Sequence, residues 1–164
     1  MNNTLELCRW TYNETLALRK NTWELEQKNI GYYDSKKMIP EWKKEKPELK
    51  TVHSQVLQEV VKRVDLAFEA FFRRVKNGEN PGYPRFRGYG RYDSFTYTQF
   101  GFYLNSERLS LSKIGELKIK LHRPVEGEIK RLTIRRMPTG KWFVFFWLKL
   151  IRRQNCKKPD YQQV

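Results

Sequence analysis

The chain has 164 residues, which suits one compact domain or two small ones. Its 39% hydrophobic and 15% aromatic content is enough for a core and excludes wholesale disorder. A net charge of +15, from 33 basic and 18 acidic residues, is costly on a compact body and points to nucleic acid or an anionic surface as partner.

The charge is uneven. Residues 1–50 hold 10 basic and 8 acidic residues, whereas residues 91–164 hold 16 and 6 and carry +10 of the excess. No apolar run is long enough to cross a bilayer, and the first dozen residues do not read as a secretory leader. Cys8 and Cys156 lie far apart, with no Cys or His at metal spacing. They support neither a disulfide framework nor a zinc knuckle, so a reducing cytoplasm is the expected compartment.

The first predicted element is a helix over Asn3–Lys28. Leu5, Cys8, Tyr12, Thr15, Leu16 and Leu25 fall near one face, and the residues Asn29–Gly31 end it. Asp34 or Ser35 is placed to cap a short helix before Pro40. The Lys/Glu-rich stretch 39–50, with Pro40 and Pro47, reads as a short helix or a solvated connector.

The strongest helical signal begins near Thr51, with Thr51 or Ser54 as N-cap. Val56, Leu57, Val60, Val64, Ala67, Phe68, Phe71 and Phe72 recur at three- and four-residue steps, an apolar stripe that packs on the first helix. Gln55, Gln58, Lys62, Arg63 and Arg73 form the opposite face, open to solvent or ligand.

Gly78, Pro81, Gly82 and Pro84 stop this helix and open a loop. The segment 71–88 carries Arg73, Arg74, Lys76, Arg85 and Arg87 against the single anion Glu79, interleaved with aromatics. Arginine forks suit phosphate oxygens, and flat rings such as Tyr83, Phe86 and Tyr89 suit unpaired bases. Tyr83 and Phe86 serve equally well as anchors that pin the loop to the core. The competing reading of the whole segment is an ordinary solvated loop.

From Ser94 the period changes to two. Phe95/Tyr97, Leu109/Leu111, Leu117/Ile119/Leu121 and Leu132/Ile134 alternate with polar neighbours, and 142–150 is a β-prone aromatic run. Turns are expected at Asn105-Ser106, Lys113–Gly115, Pro124–Gly127 and Met137–Gly140. The predicted class is therefore α+β: an N-terminal helical bundle over 1–90, then a small antiparallel β-barrel or curled sheet over 91–150, then a basic tail or linker over 151–164. The alternation sends Lys118, Lys120 and Arg135 to one face as a phosphate rail, with the solvated outer face of a barrel as the competing reading.

No catalytic constellation emerges. His53 reads as a helix-start residue and His122 as a strand residue, and the carboxylates are scattered where a two-metal nuclease needs a cluster. Gly88-Tyr89-Gly90 is too short for a phosphate-binding glycine loop. No catalytic residue, metal ligand or cofactor is assigned.

Several segments in order carry a family likeness. They are Arg9-Trp10-Thr11-Tyr12-Asn13, Ser54-Gln55-Val56-Leu57-Gln58, Ala67–Arg74, Gly82–Arg87, Ser94–Tyr97, Leu109–Gly115, Lys120–Pro124, Thr133–Arg136 and Gly140–Phe143. Over roughly 5–150 this series resembles the N-terminal half of TnpB (OrfB-type) insertion-sequence proteins. The resemblance implies an RNA-guided DNA endonuclease family. In it, a β-barrel wedge domain with a helical recognition insertion holds guide RNA and reads a motif beside the DNA target. A RuvC-like half with an Asp-Glu-Asp metal site would follow. Family members usually open with a β-strand before the first helix, which here starts almost at Met1, so one barrel strand is expected to be absent. Asp160 lacks the strand context of a RuvC aspartate, so no catalytic role is carried onto it.

The expected function is nucleic-acid binding without catalysis, with structured guide RNA or double-stranded DNA as partner and no membrane. Phosphate contacts are assigned to Arg73, Arg74, Lys76, Arg85, Arg87, Lys118, Lys120, Arg123, Arg135, Arg136 and Lys141. Stacking is assigned to Tyr83 and Phe86, and base-edge contact to Gln55 and Gln58, whose amides match adenine, with plain exposed helix polars as the equally weighted reading of the two glutamines. The alternatives are an RNA-independent DNA-binding regulator, a target-recognition subunit working with a separate nuclease half, and a remnant that folds poorly.

Overall fold

The computed structural model describes residues 1–149. The expected tail, 151–164, lies outside the described residues. Four helices come first: α1 (Asn2–Glu26), α2 (Tyr32–Lys37), α3 (Ile39–Glu45) and α4 (Ser54–Lys76), with a 3-10 helix (Pro47–Thr51) before α4. Six strands follow: β1 (Ser94–Tyr97), β2 (Phe102–Asn105), β3 (Arg108–Leu111), β4 (Gly115–Lys118), β5 (Glu128–Arg136) and β6 (Trp142–Lys149). The α+β class is borne out.

α4 forms because its apolar side chains share one stripe. Val56, Leu57, Val60, Val61, Val64 and Phe68 are all buried, each contributing about 1.5–3 kcal/mol of apolar burial. That outweighs the modest helix propensity of its valines. Its N-cap is His53, rather than Thr51 or Ser54. Phe72 ends up exposed, because the stripe outruns the partner it packs on.

α1 lies against α4 through Leu5, Cys8, Tyr12 and Leu16. It ends where Gln27 turns left-handed (φ 52°) and returns its N–H to Trp23 O. Leu25 is exposed and takes no part in the face assigned to it. A buried ion pair ties the two helices, Arg19 Nη1 to Asp65 Oδ1 at 3.0 Å, and the Arg19 guanidinium sits 4.3 Å from the Phe68 ring centroid.

The 39–50 segment folds as the short helix α3 and the 3-10 helix rather than as a solvated connector, and three of its side chains anchor it on the core. Ile39, Trp42 and Leu49 are buried, and the Trp42 ring meets Trp10 edge-on at 6.3 Å. Ser35 is not a cap either. It lies inside α2, whose N-cap is Gly31, and its hydroxyl donates to Gly31 O.

The described strands form two antiparallel sheets, ordered β1–β5–β6 and β2–β3–β4, and do not close into a barrel. The reason is local. β4 stops at Lys118, so Ile119, Leu121 and His122 lie in the linker to β5 rather than in a strand. β4 and β6 are both left as edge strands. Tyr97 joins the two sheets by donating its hydroxyl to Ser112 O at 2.8 Å.

One hydrophobic cluster runs from the helices through Phe95, Tyr97, Leu109, Leu111, Leu132 and Ile134. Arg63 fastens α4 to β1: Nη1 donates to Ser94 O at 2.8 Å and Nη2 to Thr96 Oγ1 at 2.8 Å. Arg63 is therefore an internal tie between helix and sheet rather than part of a face open to solvent or ligand.

Candidate nucleic-acid interface

The basic segment is held from beneath and open above. At the end of α4, Asn77 returns its N–H to Arg73 O and Arg74 O, and Gly78 takes φ +72°, a conformation that glycine adopts without strain. Tyr83 then packs edge-on against Phe68 (5.6 Å) and Phe71 (5.4 Å), which makes it an anchor although its outer edge stays exposed.

Asn13 of α1 grips the far end of the loop. Its Nδ2 donates to Arg87 O at 3.0 Å, and its Oδ1 accepts the Arg87 N–H at 2.8 Å. Arg9 donates to the same carbonyl at 3.2 Å. The Arg87 guanidinium lies 5.6 Å from the Tyr12 ring centroid.

With the backbone pinned, the side chains face outward. Arg73, Arg74, Lys76, Arg85, Phe86 and Arg87 are exposed, and Tyr89 is 85% exposed. Glu79 reaches Arg74 at 3.8 Å. Among the described residues, Arg73, Lys76 and Arg85 form no ion pair with a carboxylate. The arrangement offers a band of phosphate-binding donors with two unpacked rings beside it.

Gln55 and Gln58 sit at the start of α4 and are both half-buried. Gln55 Oε1 and His53 Nδ1 are buried without a hydrogen-bond partner among the described residues. The His53 ring lies 5.4 Å from that of Tyr97, and Gly101 leaves room for it: a Cβ there would come within 2.8 Å of Nε2. Burial, with Lys113 and Lys43 close by, pulls the imidazole below its ordinary value. Burial, with Lys113 nearby, also lowers Lys43, whose Nζ donates to Ser54 Oγ at 2.9 Å. Two lysines, one unpaired amide oxygen and a neutral imidazole thus gather at this helix start. Lys43 and Lys113 were not in the predicted set, because only tertiary folding brings them there.

The sheet cations divide into groups. Lys118, Lys120 and Arg123 rim an apolar trough of about 1030 Å³ between the β4–β5 linker and β6. Arg135 stands in the other sheet, where Nε and Nη2 both reach Asp93 Oδ2 at 2.8 Å. Arg136, next along β5, is half-buried and donates to Asn2 Oδ1 at 3.2 Å. Lys141 is exposed in the β5–β6 turn. Lys118 and Arg135 therefore do not share a strand rail, since the alternation that suggested one runs through two separate sheets.

Burial pushes the Cys8 thiol up to about 12, against the lowering influence of Arg63. That leaves it a small apolar core group rather than a reactive one. Among the described residues there is no group of three or more His, Cys, Asp or Glu placed to hold a metal ion. No described helix is long and apolar enough to cross a membrane.

The fold and this surface define a basic α+β module that presents arginines and aromatic rings on a pinned loop. No protein-family profile matches the chain. Two curated proteins do. The Escherichia coli (strain K12) protein named "Putative RNA-guided DNA endonuclease InsQ" is 33% identical over 141 residues, 84% of this chain and 33% of its own length. A Streptomyces pristinaespiralis protein named "Putative RNA-guided DNA endonuclease" is 33% identical over 150 residues, 88% of this chain and 36% of its own. These two matches support membership of the TnpB family of insertion-sequence proteins. The chain spans about a third of the length of the curated relatives it matches.

Proposed function

We propose that this chain is a nucleic-acid-binding part of a TnpB-like RNA-guided DNA endonuclease, holding guide RNA and DNA beside the target, with no cleavage of its own. The observation that carries the reading is the outward-facing band of Arg73, Arg74, Lys76, Arg85 and Arg87 on a loop pinned by Asn13 and Tyr83. A backbone already ordered loses little freedom on binding, and forked donors suit phosphates. The names of the two relatives supply RNA and DNA as the ligands. Cleavage is assigned to the portion of those relatives outside the match.

In this reading residues 1–90 act as the recognition region and 91–150 as the wedge-like region. Gln55 and Gln58, both half-buried at the start of α4, contact base edges, while Lys43 and Lys113 hold the adjacent phosphates.

The test is expression of the chain beside its native flanking DNA, followed by sequencing of nucleic acid that co-purifies. A discrete RNA from that locus, lost in the double variant Arg85→Ala/Arg87→Ala, is the expected result. DNA bound with no RNA requirement would replace this reading with that of a DNA-binding regulator.

A further inference from the structure

β6 carries an outward row of rings, two of which, Phe143 and Phe145, also border the trough. Its residues alternate, with Trp142, Val144 and Phe146 packing against the core. Phe143, Phe145 and Trp147 point the other way and are 42%, 48% and 62% exposed. The β5 register sets Arg135 opposite Phe143, Thr133 opposite Phe145 and Arg131 opposite Trp147. Two guanidinium groups therefore flank three exposed rings on one sheet face.

Each arginine already has a carboxylate neighbour. Arg135 pairs with Asp93 at 2.8 Å, and Arg131 with Glu59 at 3.7 Å. A guanidinium has five N–H donors, so both keep donors for a further oxygen. Beyond Trp147 the face runs into a groove of about 710 Å³ that also includes the exposed Phe100 and Lys130.

An exposed row of large rings marks an interaction site. Arginines beside the rings, on a chain of net charge +15, select a polyanion over an apolar protein partner. Alternate strand residues stand about 6.8 Å apart, twice the roughly 3.4 Å step between stacked bases in a duplex strand. Each ring thus meets a base on its own, and a ligand spanning the row is extended and unpaired. A duplex, with its base faces already covered, cannot use the row.

We propose that the β5–β6 part of this sheet face, beyond the β1 residues that α4 covers through Arg63, binds a single-stranded nucleic-acid segment. Bases stack on Phe143, Phe145 and Trp147, and Arg131 and Arg135 hold the flanking phosphates. The proposal rests on the reading that the chain binds nucleic acid and adds a second surface to the loop.

The experiment uses the full chain and labelled single strands, RNA and DNA separately, of about 16 nucleotides, with a blunt duplex of the same sequence. Trp147→Leu and Phe145→Leu are each expected to weaken single-strand binding about tenfold and to leave duplex binding unchanged. Trp147→Phe, which keeps a ring, is expected to recover most of the affinity. Circular dichroism of each variant checks the fold, and two independent positions guard against one failing to fold. Unchanged single-strand affinity in both Leu variants, with Arg85→Ala/Arg87→Ala weakening both probes, overturns this proposal and leaves the proposed function standing. Absence of binding to any probe by the wild-type chain removes both. Self-association of the wild type that Trp147→Leu abolishes makes the face an interface between copies and also overturns the proposal.

Discussion

Asp65 shows how single residues set the helical packing. Burial alone would raise its carboxyl, but the hydrogen bonds from Lys62 (2.7 Å) and Arg19 (3.0 Å) outweigh it and hold the group below the usual carboxylate range. Asp65→Asn leaves the buried Arg19 charge uncompensated. It is expected to cost about 3 kcal/mol and lower the thermal midpoint by roughly 9 °C, as calorimetry would read. His53, like Asp65, loses its contribution as pH falls, but in a higher window. Its folded value lies below the ordinary 6.5, so the unfolded chain takes up the proton first as pH falls. Its contribution is therefore complete above about pH 6.5 and lost as pH drops from there toward the folded value. Thermal midpoints of wild type and His53→Gln between pH 7.5 and 5 test this. The wild type is expected to lose stability over that range and the variant to show a flatter profile. The place of His53 at a helix start was legible in the sequence, but its surroundings and the ion pair were not. Asp65 and Arg19 stand 46 positions apart, and the half-buried His53 ring has its place because Gly101 makes room beside it.

At the scale of elements, what could be read depended on whether the pattern was local. α4 was legible because its stripe repeats over a 23-residue helix, and β5 because Leu132 and Ile134 alternate with polar neighbours. β2 was missed, since Phe102–Asn105 shows no clean alternation of apolar and charged residues. The outward row of β6 followed from the same period-two rule, but a run that is aromatic on both faces hides its alternation. In the loop, the arginines and the helix stop could be read from glycine and proline. The Asn13 clamp could not, because it joins residues 74 positions apart. Asn13→Ala removes two hydrogen bonds to the Arg87 backbone at about 1 kcal/mol each. Trypsin is then expected to cut after Arg85 and Arg87 about tenfold or more faster, while the global melting point moves little. An unchanged cleavage rate would show that Tyr83 and Arg9 suffice to pin the loop.

Over the whole molecule, the charge excess and the fold have to be considered together. A single core joins the helices to both sheets, so loop, helix start and sheet face are held on one body. Composition alone announced a polyanion partner but could not say where it sits. The cations expected on one rail separate into the trough rim, the β5 pairs and the loop band. Of these, the loop band and the trough rim are both little compensated by carboxylates, and the band, with only Glu79 near Arg74, gathers the larger number of cations. The band is therefore the place where phosphate neutralisation would contribute most. The central claim reduces to a count of phosphates displaced from their counterions. The most direct measurement is the salt dependence of nucleic-acid affinity for the wild type and for Arg85→Ala/Arg87→Ala. Five loop cations predict a log–log slope of about −4.5 for duplex or about −3.5 for a single strand, reduced in magnitude by about 1.8 or about 1.4, respectively, in the variant. A slope near zero, or one that the double substitution leaves unchanged, would contradict it.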